Sequence, residues 1–196
     1  MPATSPHRIA ASLLMLLVLV PAIAAATPMP FDVYALAHSS NSGVGTGLNT
    51  GLFFNAGDPF TVEVDPGDLW NAGDLPRWSN ADGLTGNLYA TGSDDSGQSA
   101  GTLIGQNWGV HSIPGVLSAP FGTLVGSIGG EFFILGTGFA GVAPASGTLR
   151  LYYWDTYTPD NTEFVTAFVD PSPASEPGTL LLGLAGLLAL SRRRNR

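Results

Sequence analysis

Residues 155–162 read Asp155-Thr-Tyr-Thr158-Pro-Asp160-Asn161-Thr162 and gather hard oxygen donors within one short loop. A strand delivering Asp155 into a loop that returns Asp160 and Asn161 brings three side chains together, and the Thr158 carbonyl would add a fourth donor. Calcium takes about 6–8 oxygens from carboxylates, amides, backbone carbonyls and water. The chemistry such a loop offers is therefore cation binding; the alternative is an acidic loop that is merely solvated. It is not an EF-hand, because the spacing and the flanking helices are absent. Tyr152, Trp154 and Tyr157 stand beside it. They are either platforms for the apolar face of a sugar ring or cross-strand packing partners.

Other chemistries find little purchase. The chain has no cysteine, which removes disulfides, thiolate metal sites and a cysteine nucleophile. His38 and His111 have no second histidine at metal spacing. Ser39, Ser40 and Ser42 lie in no Gly-x-Ser-x-Gly elbow. Gly43-Val-Gly-Thr-Gly47 lacks the lysine and following helix of a phosphate loop and reads as a turn. A glycosidase needs two carboxylates across a cleft, but a chain this rich in acids always supplies some pair, so the expectation is a protein that is not an enzyme. Trp70, Trp78 and Trp108 read as residues that fill the core or cover turns.

Charge narrows the partners further. The whole chain has 7 basic and 15 acidic residues, a formal −8, and all seven bases are arginines. Four of these lie in the last five positions. Residues 27–175 hold fourteen acids against Arg77 and Arg150, a formal −12. Such a body repels phosphate backbones, which excludes nucleic acid as a partner. It remains suited to a cation or a neutral polar ligand.

Both ends read as targeting segments. Arg8, an apolar run from Ile9 to Val20, Pro21 and the small-residue stretch ending at Ala26 have the layout of a signal peptide over 1–26. At the other end, a linker over 171–175 precedes Glu176-Pro177-Gly178, an apolar segment to Leu190, and Ser191-Arg192-Arg193-Arg194-Asn-Arg196. A helix over 178–190 would be about 20 Å long, a marginal span for a bilayer core of about 30 Å. Its arginines would stay cytoplasmic. Residues 176–196 resemble the PEP-CTERM sorting tail, with Ser175 where that tail carries its first proline. The resemblance implies sorting through Glu176, Pro177, Arg192, Arg193 and Arg194 and an exosortase-type protease as partner. It also implies export across the inner membrane, transient anchoring by the C-terminal helix, and release to the envelope or the exopolysaccharide matrix.

The elements that must position the acidic loop are strands. Runs rich in β-branched and aromatic residues, punctuated by 26 glycines and 15 prolines, predict strands at 31–37, 48–54, 60–64, 102–110, 123–128, 132–135, 148–154 and 163–169. In the seventh, Leu149, Leu151 and Tyr153 share one face. Arg150, Tyr152 and Trp154 share the other, which is expected to be exposed or to face a ligand. No helix-period segment occurs in the body, and many short strands predict an all-β, jelly-roll-like sandwich over 27–170. Gly122-Thr-Leu-Val-Gly-Ser-Ile-Gly129, Gly136-Thr-Gly-Phe139, Gly147-Thr-Leu-Arg-Leu-Tyr152 and the 155–161 loop follow in the order of the C-terminal half of PA-IL-like bacterial lectins. The body resembles that calcium-dependent, galactose-binding family over residues 48–170. The resemblance implies Asp155, the Thr158 carbonyl, Asp160 and Asn161 as calcium ligands, with a further carbonyl near Asn71–Gly73. The loop is one residue shorter here, and an acid, Asp160, replaces the first of two amides. The family's His-Pro and Gln contacts to the sugar rim have no counterpart around Gly83–Ser93, so galactose preference does not carry over. The expected function is calcium-dependent binding of an exopolysaccharide or other glycan; the alternative is a structural matrix protein with no specific ligand.

Overall fold

The structure, a computed structural model, describes residues 27–171. The expected signal peptide, most of the linker and the sorting tail with its apolar helix lie outside the described residues. Among the described residues no helix is long and apolar enough to cross a membrane.

The strands are β1 (Met29–Tyr34), β2 (Leu48–Phe54), β3 (Pro59–Glu63), β4 (Trp70–Asn71), β5 (Trp78–Ser79), β6 (Leu88–Tyr89) and β7 (Leu103–Gly105). They continue with β8 (Val110–Ile113), β9 (Leu117–Pro120), β10 (Thr123–Ile128), β11 (Glu131–Ile134), β12 (Gly138–Val142), β13 (Gly147–Trp154) and β14 (Phe164–Asp170). A single 3₁₀ turn, Thr158–Asp160, lies between the last two. Two four-stranded antiparallel sheets form, in the orders β1-β14-β3-β12 and β11-β10-β13-β2. The all-β expectation holds.

The sheets pack face to face through alternating inward residues. Val33, Phe60, Val62, Val165, Ala167 and Val169 come from the first sheet, and Leu124, Ile128, Leu149, Leu151 and Tyr153 from the second. All are 0–1% exposed, and each large aliphatic among them contributes about 1.5–3 kcal/mol by leaving water.

The second sheet departs from the expected pattern on its other face. Every residue of β10 is buried, and so are Tyr152 and Trp154 of β13. The β8–β9 hairpin lies over that face, packing Ile113, Val116, Leu117 and Ala119 against Val125, Tyr152 and Trp154. The Trp154 indole donates to the His111 carbonyl at 2.9 Å, which fixes the hairpin to the sheet. His111 stacks on Phe121 and tilts against Trp154.

The expected strand 102–110 is two elements. Gly109, at φ +76, turns the chain where it leaves β7 and enters β8. β12 was not expected, since Gly138, Ala140 and Gly141 are poor strand formers; it forms by pairing with β3 from Gly138↔Glu63 to Val142↔Pro59. The polar loop after β6 is ordered by Asp94, which accepts hydrogen bonds from Ser96 and from the backbone and hydroxyl of Thr91. Those bonds, the Ser96 hydroxyl foremost, hold its carboxyl down at about 2.

Candidate functional site

β13 delivers Asp155 to the rim of the sandwich, as its spacing predicts. The segment before β2 runs beside the end of this strand: Ser39 pairs with Tyr153, and the Ser40 N–H donates to the Tyr153 carbonyl at 2.9 Å. The buried Ser40 hydroxyl then brackets Asp155, donating to its carbonyl at 3.0 Å and accepting from its N–H at 3.1 Å. Ser40, which the sequence shows only as a serine outside any nucleophile motif, is thus the clamp on the first residue of the loop.

Asp155 is 5% exposed and Asn161 2%. Burial pushes the Asp155 carboxyl above its ordinary range, and the neighbouring charge of Asp160 adds to this. The Thr156 N–H (2.6 Å), the Asn161 amide and the Tyr157 N–H act against it. The 3₁₀ turn closes through the Asn161 N–H onto the Thr158 carbonyl at 3.1 Å, and the Asn161 amide also donates to the Ala35 carbonyl at 3.3 Å. Two oxygens of this loop, Asp160 Oδ1 and Asn161 Oδ1, are buried with no hydrogen-bond partner. A buried carboxylate or amide oxygen without a donor is costly, and such atoms in a folded protein call for an explanation.

A second segment, far upstream in the chain, meets the loop. Asn71 and Thr162 exchange both backbone hydrogen bonds at 3.1 Å, which lays Ala72 and Gly73 against the acids. Trp70 anchors this segment: it is fully buried, edge-on to Tyr153 at 4.5 Å, and its indole donates to the Gly122 carbonyl at 2.9 Å and the Asn80 carbonyl at 3.2 Å. Arg77 reaches into the same space. Its Nη1 lies 3.3 Å from the Ala72 carbonyl and 3.3 Å from Asp160 Oδ2, while its guanidinium sits 4.2 Å above the Trp108 ring.

Together these residues wall a cleft of about 150 Å³, formed by Arg77, Trp108, Phe121, Asp155, Tyr157 and Asp160 with Ala72, Leu84 and Thr156. Asp155 and Asp160 line it; Asn161 adjoins Asp160, and Thr158 sits in the turn between them. Of the three predicted aromatic platforms only Tyr157 reaches the cleft, and it is exposed. Tyr152 and Trp154 are buried under the β8–β9 hairpin and present no face to a ligand: the packing alternative describes them. Trp108, read as a packing residue, is 41% exposed and lines the cleft instead. Trp70 and Trp78 are buried, as expected.

Among the described residues no three His, Cys, Asp or Glu side chains converge in a metal-ligating cluster. A cation here would therefore take two carboxylates and otherwise amide and carbonyl oxygens. The unpartnered Asp160 and Asn161 oxygens, beside a buried second carboxylate, fit a hard divalent ion of that kind.

No family model matches the chain, and no curated protein matches it. Among solved structures, one described as "EclA N-terminal domain; PllA-like lectin" is similar over 74% of this chain and 97% of its own, at 20% identity and a TM-score of 0.47.

Proposed function

We propose that this chain is a glycan-binding module and not an enzyme, that its ligand enters the cleft between Trp108 and the 155–161 loop, and that calcium assists the binding. What carries this reading is the pair of buried, unpartnered oxygens on Asp160 and Asn161 at the edge of a cleft that also holds a half-exposed tryptophan. Asp155, Asp160, Asn161 and the Thr158 carbonyl would hold the ion, which when bound supplies coordination positions for two neighbouring sugar hydroxyls. The protein does the remaining work. Ser40 and the Thr156 N–H keep Asp155 oriented, and Trp108 and Tyr157 offer aromatic surface to the C–H face of a sugar ring. The strongly acidic body favours neutral over anionic glycans. The sequence signals at the two ends support export and sorting by an exosortase-type protease to the envelope or the exopolysaccharide matrix, with passing membrane attachment through the C-terminal segment.

A glycan array probed with and without a chelator tests this. Binding that disappears on chelation and returns with calcium is expected, and Asp155→Asn is expected to weaken it by about 10–100-fold. An array that stays silent under both conditions favours the structural matrix role and removes the lectin reading.

A further inference from the structure

Arg77 sits against the carboxylate that the proposed cation would use, on the oxygen opposite the unpartnered one. One nitrogen, Nη1, touches both the Ala72 carbonyl and Asp160 Oδ2 at 3.3 Å. The two arginines among the described residues do different things: Arg150 donates to the Thr46 carbonyl at 2.6 Å, away from the cleft, whereas Arg77 lines it. The fit around Arg77 is close. A β-carbon at Gly73 would lie 2.3 Å from Asp160 Oδ2 and 3.0 Å from Arg77 Nη1, so the backbone leaves room for this pair and nothing more. The guanidinium also covers one face of Trp108.

Resting on the calcium reading above, we propose that Arg77 is a built-in competitor of the cation: it holds Asp160 when no metal is bound and must release it for the metal to take both carboxylates. The guanidinium charge of Arg77 and a divalent ion on the same Asp160 carboxylate repel one another at close range, so binding of one favours release of the other. The same movement uncovers Trp108, so cation uptake and the opening of the aromatic surface are one event. An arginine suits this task because its planar guanidinium lies flat on an indole while one nitrogen reaches both a carboxylate and a carbonyl. By reciprocity, a ligand that stacks on Trp108 tightens cation binding. A latch closed nine-tenths of the time weakens apparent affinity about tenfold, which sets the size of the effect.

Calorimetric titration of calcium into the wild-type protein, Arg77→Gln and Arg77→Lys tests the proposal. Arg77→Gln removes the competing charge and is expected to bind calcium about tenfold more tightly, while Arg77→Lys keeps that charge and stays close to wild type. Equal or weaker binding by Arg77→Gln overturns the competitor and leaves the calcium reading standing. No uptake by any of the three proteins overturns both. Should Arg77→Gln fail to fold, the side-chain Nε–H resonance of Arg77 in the labelled wild-type protein decides. A shift at calcium saturation, with Arg150 unmoved, supports release from Asp160, and an unmoved Arg77 signal overturns it.

Discussion

Trp70→Ala is expected to cost the fold about 3–5 kcal/mol, the largest loss from a single substitution near the cleft. The side chain is fully buried between the sheets, edge-on to Tyr153, and donates to both the Asn80 and the Gly122 carbonyl. Truncation opens a cavity in the principal core and strands the Gly122 carbonyl, while the Asn80 carbonyl keeps the Gly83 N–H at 3.0 Å. Trp70→Phe separates the two effects: it retains most of the volume and removes the N–H, at an expected cost of about 1–3 kcal/mol. Urea denaturation reads both, as a fall in midpoint with the slope unchanged. The loss reaches the site because Trp70 leads directly into Asn71, Ala72 and Gly73, the segment that backs the acidic loop. Against a typical total of about 5–15 kcal/mol, Trp70→Ala removes a large share of the stability.

The second large effect falls on Gly73→Ala. Gly73 has φ +114, where L-residues are strained, and its missing β-carbon would overlap Asp160 Oδ2 at 2.3 Å and Cγ at 2.9 Å. The carboxylate belongs to a loop held by Asn71–Thr162 pairing and by Asn161, so it cannot swing away freely. Strain and overlap together are expected to cost about 2–5 kcal/mol and to part Asp160 from Arg77. Thermal unfolding of Gly73→Ala beside Gly86→Ala checks this, because Gly86 has open space around it and no positive φ. A Gly73→Ala protein as stable as the Gly86→Ala control would mean that the loop yields, and that the Arg77–Asp160 contact is not rigidly held.

Much of this architecture is legible in the sequence because it depends on local pattern. The alternation of Leu149, Leu151 and Tyr153 places those residues in the core, and the run from Asp155 to Asn161 marks the loop because its donors are neighbours in the chain. What escapes the sequence is non-local. The second face of β13 looks free until the β8–β9 hairpin, whose residues are separated from it by some thirty positions, covers Tyr152 and Trp154. β12 forms on the strength of its partner β3, with too few β-branched residues to announce itself. The cleft is completed by Arg77 and Trp108, which are 83 and 52 positions from Asp160 in the chain and meet it through the Arg77–Asp160 contact and the stacking of Arg77 on Trp108. Asp160 illustrates the point: it reads as an acid standing where the resembling lectins carry an amide, and the structure gives that acid a guanidinium partner. Two arginines amid fourteen acids were the available signal, and charge alone does not say which acid each one meets.

The cleft itself is best tested by nuclear magnetic resonance on the four tryptophan indoles, which report on four distinct environments. Trp70, Trp78 and Trp154 are buried, and Trp108 stands in the cleft beneath Arg77. On adding calcium and then a glycan selected by array, the Trp108 indole signal is expected to shift at each step, while the other three hold their positions. A Trp108 signal that stays fixed while the protein binds glycan, or a shift confined to the buried indoles, would place the ligand elsewhere and contradict the account.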